Sequence, residues 1–83
     1  MDKILVEIFL PSANMKFDAY IPRDSKMGKI KILLADMLTD LSERNFTADG
    51  TTLLCDADSG KIYNLNITVD SCGLKNGSRL MLI

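Results

Sequence analysis

Ile4, Val6, Ile8 and Leu10 occupy alternate positions near the start of the chain, with Lys3, Leu5, Glu7 and Phe9 between them. A period of two in a β-branched run predicts a strand over residues 3–10. Pro11-Ser12-Ala13-Asn14 predicts a turn, after which Met15, Phe17, Ala19 and Ile21 alternate with Lys16, Asp18 and Tyr20. Two strands joined by so short a turn form an antiparallel hairpin, and Pro22 ends it because proline has no N–H for the ladder. The period then changes. Met27, Ile30, Leu34, Met37, Leu38 and Leu41 fall within an arc of about 100° on a helical projection, which predicts one buried stripe and leaves Ile32 exposed. The helix is expected from about Lys26 to about Glu43, with Asp24 or Ser25 as its cap and Asn45 as a left-handed stop. Lys26 and Lys29 near its start, and Asp40 and Glu43 near its end, oppose the helix dipole, so packing must hold it.

The second half is written in shorter pieces. Phe46 to Thr51 reads as a loop, Thr52 to Cys55 as a short strand, Asp56 to Gly60 as a turn and Lys61 to Leu65 as a return strand. Asn76-Gly77 is a strong turn signal because both residues tolerate positive φ. Ser78 to Ile83 is the last strand, with Leu80 and Leu82 on one face and Arg79, Met81 and Ile83 on the other. One helix can cover only one face of a sheet, so the expected architecture is a two-layer α+β fold. Its core is the helix stripe together with Ile4/Val6/Ile8, Phe17/Ala19/Ile21 and Leu80/Leu82.

Composition narrows the function more by exclusion than by indication. Ten Lys and Arg against eleven Asp and Glu leave a net charge of −1, which offers no pull toward phosphate backbones or anionic lipid. Lys26, Lys29 and Lys31 scatter over more than half the helix circumference and read as a solvated helix start, not an anion site. No apolar run approaches the ~20 residues of a membrane span, and the first residues lack a signal-peptide pattern, so a cytoplasmic protein without membrane insertion is expected. The Asn-x-Ser/Thr triplets at Asn45, Asn66 and Asn76 then carry no meaning as glycosylation sites.

Candidate chemistry is thin. There is no histidine, hence no ready general base near neutral pH, and two cysteines alone make a poor zinc site. Cys55 and Cys72 lie in apolar surroundings and are expected to be reduced. Asp56-Ala57-Asp58-Ser59-Gly60 has a trace of a calcium loop, but counting from Asp56 the position of the bidentate Glu is Ile67, which leaves a solvated turn as the reading. No catalytic, cofactor-binding or metal-binding residue is expected.

Two stretches carry a family resemblance: Ile21-Pro22-Arg23-Asp24-Ser25-Lys26-Met27 into the helix, and Thr68 to Leu80. The second, Thr68-Val69-Asp70-Ser71-Cys72-Gly73-Leu74-Lys75-Asn76-Gly77-Ser78-Arg79-Leu80, is similar to the L-x-D-x-G-I-x-x-G-D-x-L tail of ubiquitin-like β-grasp proteins. Val69, Leu74 and Leu80 stand at its buried positions; Ser78 replaces the common Asp, and Val69 the common Leu. The chain resembles this family over nearly its whole length. By size and ending it is most like the YukD/EsaB group, small cytosolic ubiquitin-like proteins of bacterial type VII secretion systems.

The resemblance implies a single ubiquitin-like domain over residues 1–83. It implies a mixed sheet of four to five strands with one main helix, the first and last strands side by side and parallel. Ubiquitin and the sulfur carriers act through a terminal Gly-Gly, whereas this sequence ends Arg79-Leu80-Met81-Leu82-Ile83. The implied function is therefore a non-conjugated protein-binding adaptor, an accessory component of a type VII secretion system. The alternative is a covalent modifier or sulfur-carrier relative, which a longer reading frame ending in Gly-Gly would favour. A third is a structural β-grasp piece of a larger enzyme. If the strand alternation holds, Leu5, Phe9, Tyr20, Leu54, Met81 and Ile83 all lie on the sheet face away from the helix. Six apolar side chains there form a candidate protein-binding patch, on the face through which ubiquitin-like proteins commonly bind.

Overall fold

The computed structural model describes residues 2–43 and 52–83. Strand β1 (Lys3–Leu10) and strand β2 (Met15–Pro22) form the expected hairpin, joined by a 3₁₀ turn at Pro11–Ala13 and by Asn14 in the left-handed region at φ 51°. Helix α1 (Met27–Leu41) follows, and then the short strands β3 (Leu54–Asp56) and β4 (Arg79–Leu82). The sheet order is β2-β1-β4-β3, with β1 antiparallel to β2, parallel to β4, and β4 antiparallel to β3. One covering helix is what the sequence pattern predicts, and the mixed sheet is what the family resemblance implies.

The alternation in β1 sets the layers. Ile4, Val6, Ile8 and Leu10 are buried with Ile21, Leu80 and Leu82 from the sheet, and with Met27, Ile30, Leu34, Ala35 and Leu38 from the helix. Val69 and Leu74 close the same core, as the tail resemblance implies. Burial of these side chains is the main source of stability in a chain this small.

The helix departs from expectation in three ways. First, neither Asp24 nor Ser25 caps it. Lys26 is the cap residue and gives no side-chain bond; instead the Met27 N–H donates to the Ile67 carbonyl at 2.8 Å and the Gly28 N–H to the Leu65 carbonyl at 3.0 Å. A crossing loop satisfies the orphan donors that a capping side chain would otherwise take. Second, the helix ends at Leu41, and Glu43 takes the left-handed conformation (φ 54°); Asn45 and the loop Phe46–Thr51 lie outside the described residues. Third, Met37 and Leu41 are 39% and 52% exposed, while Ala35 is buried. Met37 borders an open groove between α1 and β2, the edge strand of the sheet, which leaves it accessible. Ile32 is 64% exposed against 3% for Leu34, so the phase is otherwise as predicted.

The short strands hold a further correction. Leu54 is not on the outer face: it pairs with Leu82, is 1% exposed and belongs to the core. The triplet Leu53-Leu54-Cys55 is apolar throughout, so no alternation marks which residue points inward; the register on β4 decides it. The return strand expected at Lys61–Leu65 reduces to a single bridge, Cys55 with Ile62, flanked by the bonds Asp56 N–H to Lys61 carbonyl and Tyr63 N–H to Leu54 carbonyl.

Candidate protein-binding face

Register alone determines which outer residues meet. Side chains opposite one another on neighbouring strands share a face, so the outer surface can be read as rows across the sheet. One row runs Lys16, Phe9, Met81, Cys55, Ile62. Beside it Ile83 faces Leu53, the two residues exchanging both backbone bonds at 2.6 and 2.9 Å. Phe9 and Met81 are half-buried, Ile83 is 47% exposed, and Ile62 is 56% exposed. Cys55 is the buried floor between Met81 and Ile62.

The next row on the other side is charged. Asp18 faces Glu7, and Glu7 faces Arg79; Lys16 reaches Glu7 at 3.9 Å and Arg79 reaches Asp58 at 3.0 Å. Beyond it Leu5 faces Tyr20. The six residues predicted from sequence are therefore divided. Phe9, Met81 and Ile83 come together; Leu5 and Tyr20 stand apart, about 13 Å along β1 from Phe9 at ~3.3 Å per residue; Leu54 is inside. Leu53 and Ile62 join the patch, and sequence reading missed both. Neither carried a signal in the sequence: Leu53 lies in an apolar triplet without alternation, and Ile62 on a return segment that pairs through a single bridge.

The chemically active side chains are muted. A polar groove of about 490 Å³ is lined by Tyr63, Cys72, Lys61, Asp56, Asp58 and Arg79, among others. Burial pushes the Tyr63 phenol up to about 12, helped by the nearby Asp56. Burial likewise raises both thiols, Cys55 and Cys72, with Lys61 opposing it slightly at Cys72. Both cysteines are free, and a raised thiol is a poor nucleophile. The Asp56 carboxylate accepts bonds from the Ser59 hydroxyl at 2.7 Å and the Asp58 N–H at 3.2 Å, which lower its pKa and tie the turn 56–60 to itself. With those oxygens so used and Asp58 paired to Arg79, the segment is the hairpin turn expected, built by its own side chains.

No family model matches the sequence, and no curated protein does. Solved structures do match in shape. The ubiquitin-like domain of ECCD1, a type VII secretion system protein of Mycobacterium tuberculosis, superimposes with a TM-score of 0.79 at 22% identity, covering 100% of this chain and 99% of that one. The EccD5 ubiquitin-like domain from Mycobacterium xenopi gives 0.83 at 17% identity, covering 100% and 94%. A chain of the ESX-5 inner membrane complex gives 0.74 at 15% identity over 100% of this chain and 21% of that one. At such identities the likeness establishes the fold, and the fold is the ubiquitin-like β-grasp. Fold by itself assigns no activity.

Proposed function

We propose that this chain is a non-covalent, ubiquitin-like docking adaptor of a bacterial type VII secretion system, of the YukD/EsaB kind, acting in the cytoplasm without catalysis or cofactor. The observation that carries the reading is the outer-face patch of Phe9, Met81, Ile83, Leu53 and Ile62 over buried Cys55. An apolar cluster rimmed on one side by Asp18, Glu7 and Arg79 has the anatomy of an interface: an apolar centre with a charged border. Its likeness to domains of secretion-apparatus proteins supports a protein partner within such an apparatus.

The test is affinity capture from the source organism with the wild-type chain and with Leu53→Asp, Ile62→Asp and Met81→Asp. Losing an interface anchor costs ~2 kcal/mol or more of binding, while exposed substitutions change folding stability by about 0.5 kcal/mol or less. Wild type is expected to retrieve subunits of the secretion membrane complex, and the folded variants to lose them. Retention by all three variants would refute the patch; retrieval without any secretion subunit would refute the assignment.

A further inference from the structure

The polar groove of about 490 Å³ is walled by the turn 56–60 and by residues 72–79, and its donors and acceptors do not balance. Three cations, Lys61, Lys75 and Arg79, line it against two carboxylates, Asp56 and Asp58. Both carboxylates are already engaged. Asp56 accepts from the Ser59 hydroxyl and the Asp58 N–H, and Asp58 pairs with Arg79 at 3.0 Å. Lys61 and Lys75 have no ion-pair partner among the described residues. An excess of one positive charge therefore stands in the groove of a chain whose net charge is −1.

The neutral side chains of the groove add donors. Asn76 Oδ1 is taken by the Leu5 N–H at 2.8 Å, which leaves the amide hydrogens of Asn76 to donate. Ser78 Oγ accepts from the Lys75 N–H at 3.0 Å, which leaves its hydroxyl hydrogen. Burial keeps the Tyr63 phenol protonated and able to donate. A surplus of donors and of positive charge fits an anion, to which hydrogen bonds are stronger than to a neutral acceptor. The groove also adjoins the docking face. Lys61 directly precedes Ile62, Asp56 directly follows Cys55, and Arg79 stands two residues before Met81 on β4. Two residues at ~3.3 Å each carry an extended chain from above Met81 to above Arg79.

We propose that this groove binds an acidic side chain, aspartate or glutamate, of the protein segment whose apolar residues cover Met81 and Ile62. The apolar half of that segment rests on the outer-face docking reading; the groove adds the charge that the segment must carry. Its carboxylate draws on Lys61 and Lys75 as ion-pair partners and on Tyr63, Asn76 and Ser78 as hydrogen-bond donors. The apolar anchors supply most of the affinity. The groove supplies selectivity, favouring a segment with an acidic residue two or three positions beyond its anchors.

The probes are two capped peptides, Leu-Ile-Gly-Glu-Glu and Leu-Ile-Gly-Gln-Gln, and inorganic phosphate, each titrated into the labelled 83-residue chain and followed by NMR. The Glu-Glu peptide is expected to shift the Met81 methyl together with the amides of Lys61, Tyr63 and Asn76. The Gln-Gln peptide is expected to shift the Met81 methyl without those amides and to bind about tenfold more weakly, the worth of two exposed ion pairs. The double variant Lys61→Glu, Lys75→Glu changes two exposed side chains, and is expected to stay folded and to lose the preference for Glu-Glu. Equal binding of the two peptides, with Met81 shifting in both, would overturn the groove and leave the docking face standing. Groove shifts without Met81 would instead refute the apolar half of the segment, and the outer-face reading with it. An unchanged preference in the double variant would overturn the roles of the two lysines. Phosphate moving the groove amides as far as the Glu-Glu peptide does would make this a free-anion site and overturn the assignment to a protein segment.

Discussion

Leu53 and Leu54 are adjacent, chemically identical and opposite in fate, which makes them a sharp test of the strand phase. Leu54 is 1% exposed and packs in the core opposite Leu82, whereas Leu53 is 39% exposed on the other face. Leu54→Ala removes three carbons, worth about 2.4 kcal/mol at ~0.8 kcal/mol each, and the cavity left behind brings the loss to about 3 kcal/mol. A domain of this length holds only about 4–12 kcal/mol in total, so the variant loses a large part of its stability. Its melting temperature is expected to fall by on the order of 15 °C. Leu53→Ala is expected to change stability by no more than about 0.5 kcal/mol. Urea unfolding followed by circular dichroism measures both, and an unchanged m value would show that midpoint shifts report stability. Equal losses in the two variants, or a loss below about 1 kcal/mol for Leu54→Ala, would mean that β3 does not pair with β4 in this register.

Three further outcomes follow from particular contacts. Gly28→Ala should destabilise the domain by about 1 kcal/mol despite alanine's better helix propensity, because the added Cβ would sit 3.1 Å from the Leu65 carbonyl oxygen that the Gly28 N–H itself binds; thermal melts decide it, and a stabilised variant would refute the close approach. With a maleimide at neutral pH, Cys72, half-buried, should label before Cys55, which is 1% exposed and should stay protected until the domain unfolds; mass spectrometry of partly labelled protein reads the order, and Cys55 labelling first would contradict the burial. Tyr63 is held at about 12 against an ordinary value near 10, so the folded state favours its protonated form. The stability it contributes is whole below about pH 10 and is lost as pH rises toward 12, the raised thiols adding in the same sense from about pH 9. Tyr63→Phe should flatten the alkaline decline above pH 10, and an unchanged slope would remove Tyr63 as its cause.

Where the chain carries a clean period, the sequence by itself determined the structure. Ile4, Val6, Ile8 and Leu10 face inward because side chains on a strand must alternate and only that set is uniformly apolar. Ile30, Leu34 and Leu38 face the sheet because a helix repeats every 3.6 residues. The tail from Thr68 to Leu80 likewise carried its buried positions, Val69, Leu74 and Leu80, in its own order. Tertiary structure decided the rest. Leu53-Leu54-Cys55 has no internal contrast, so pairing with β4 chose the inward residue. Met37 satisfies the helical stripe, yet the position of β2 as the sheet edge left it beside an open groove. The helix start looked like a side-chain cap and became a pair of bonds to Leu65 and Ile67, residues nearly forty positions away whose approach no local pattern encodes. The candidate docking face shows the same division. Alternation named Phe9, Met81 and Ile83, but register across four strands separated them from Leu5 and Tyr20 by a charged row and added Leu53 and Ile62. Local periodicity states which way a side chain points, and only the pairing of distant strands states what it points beside.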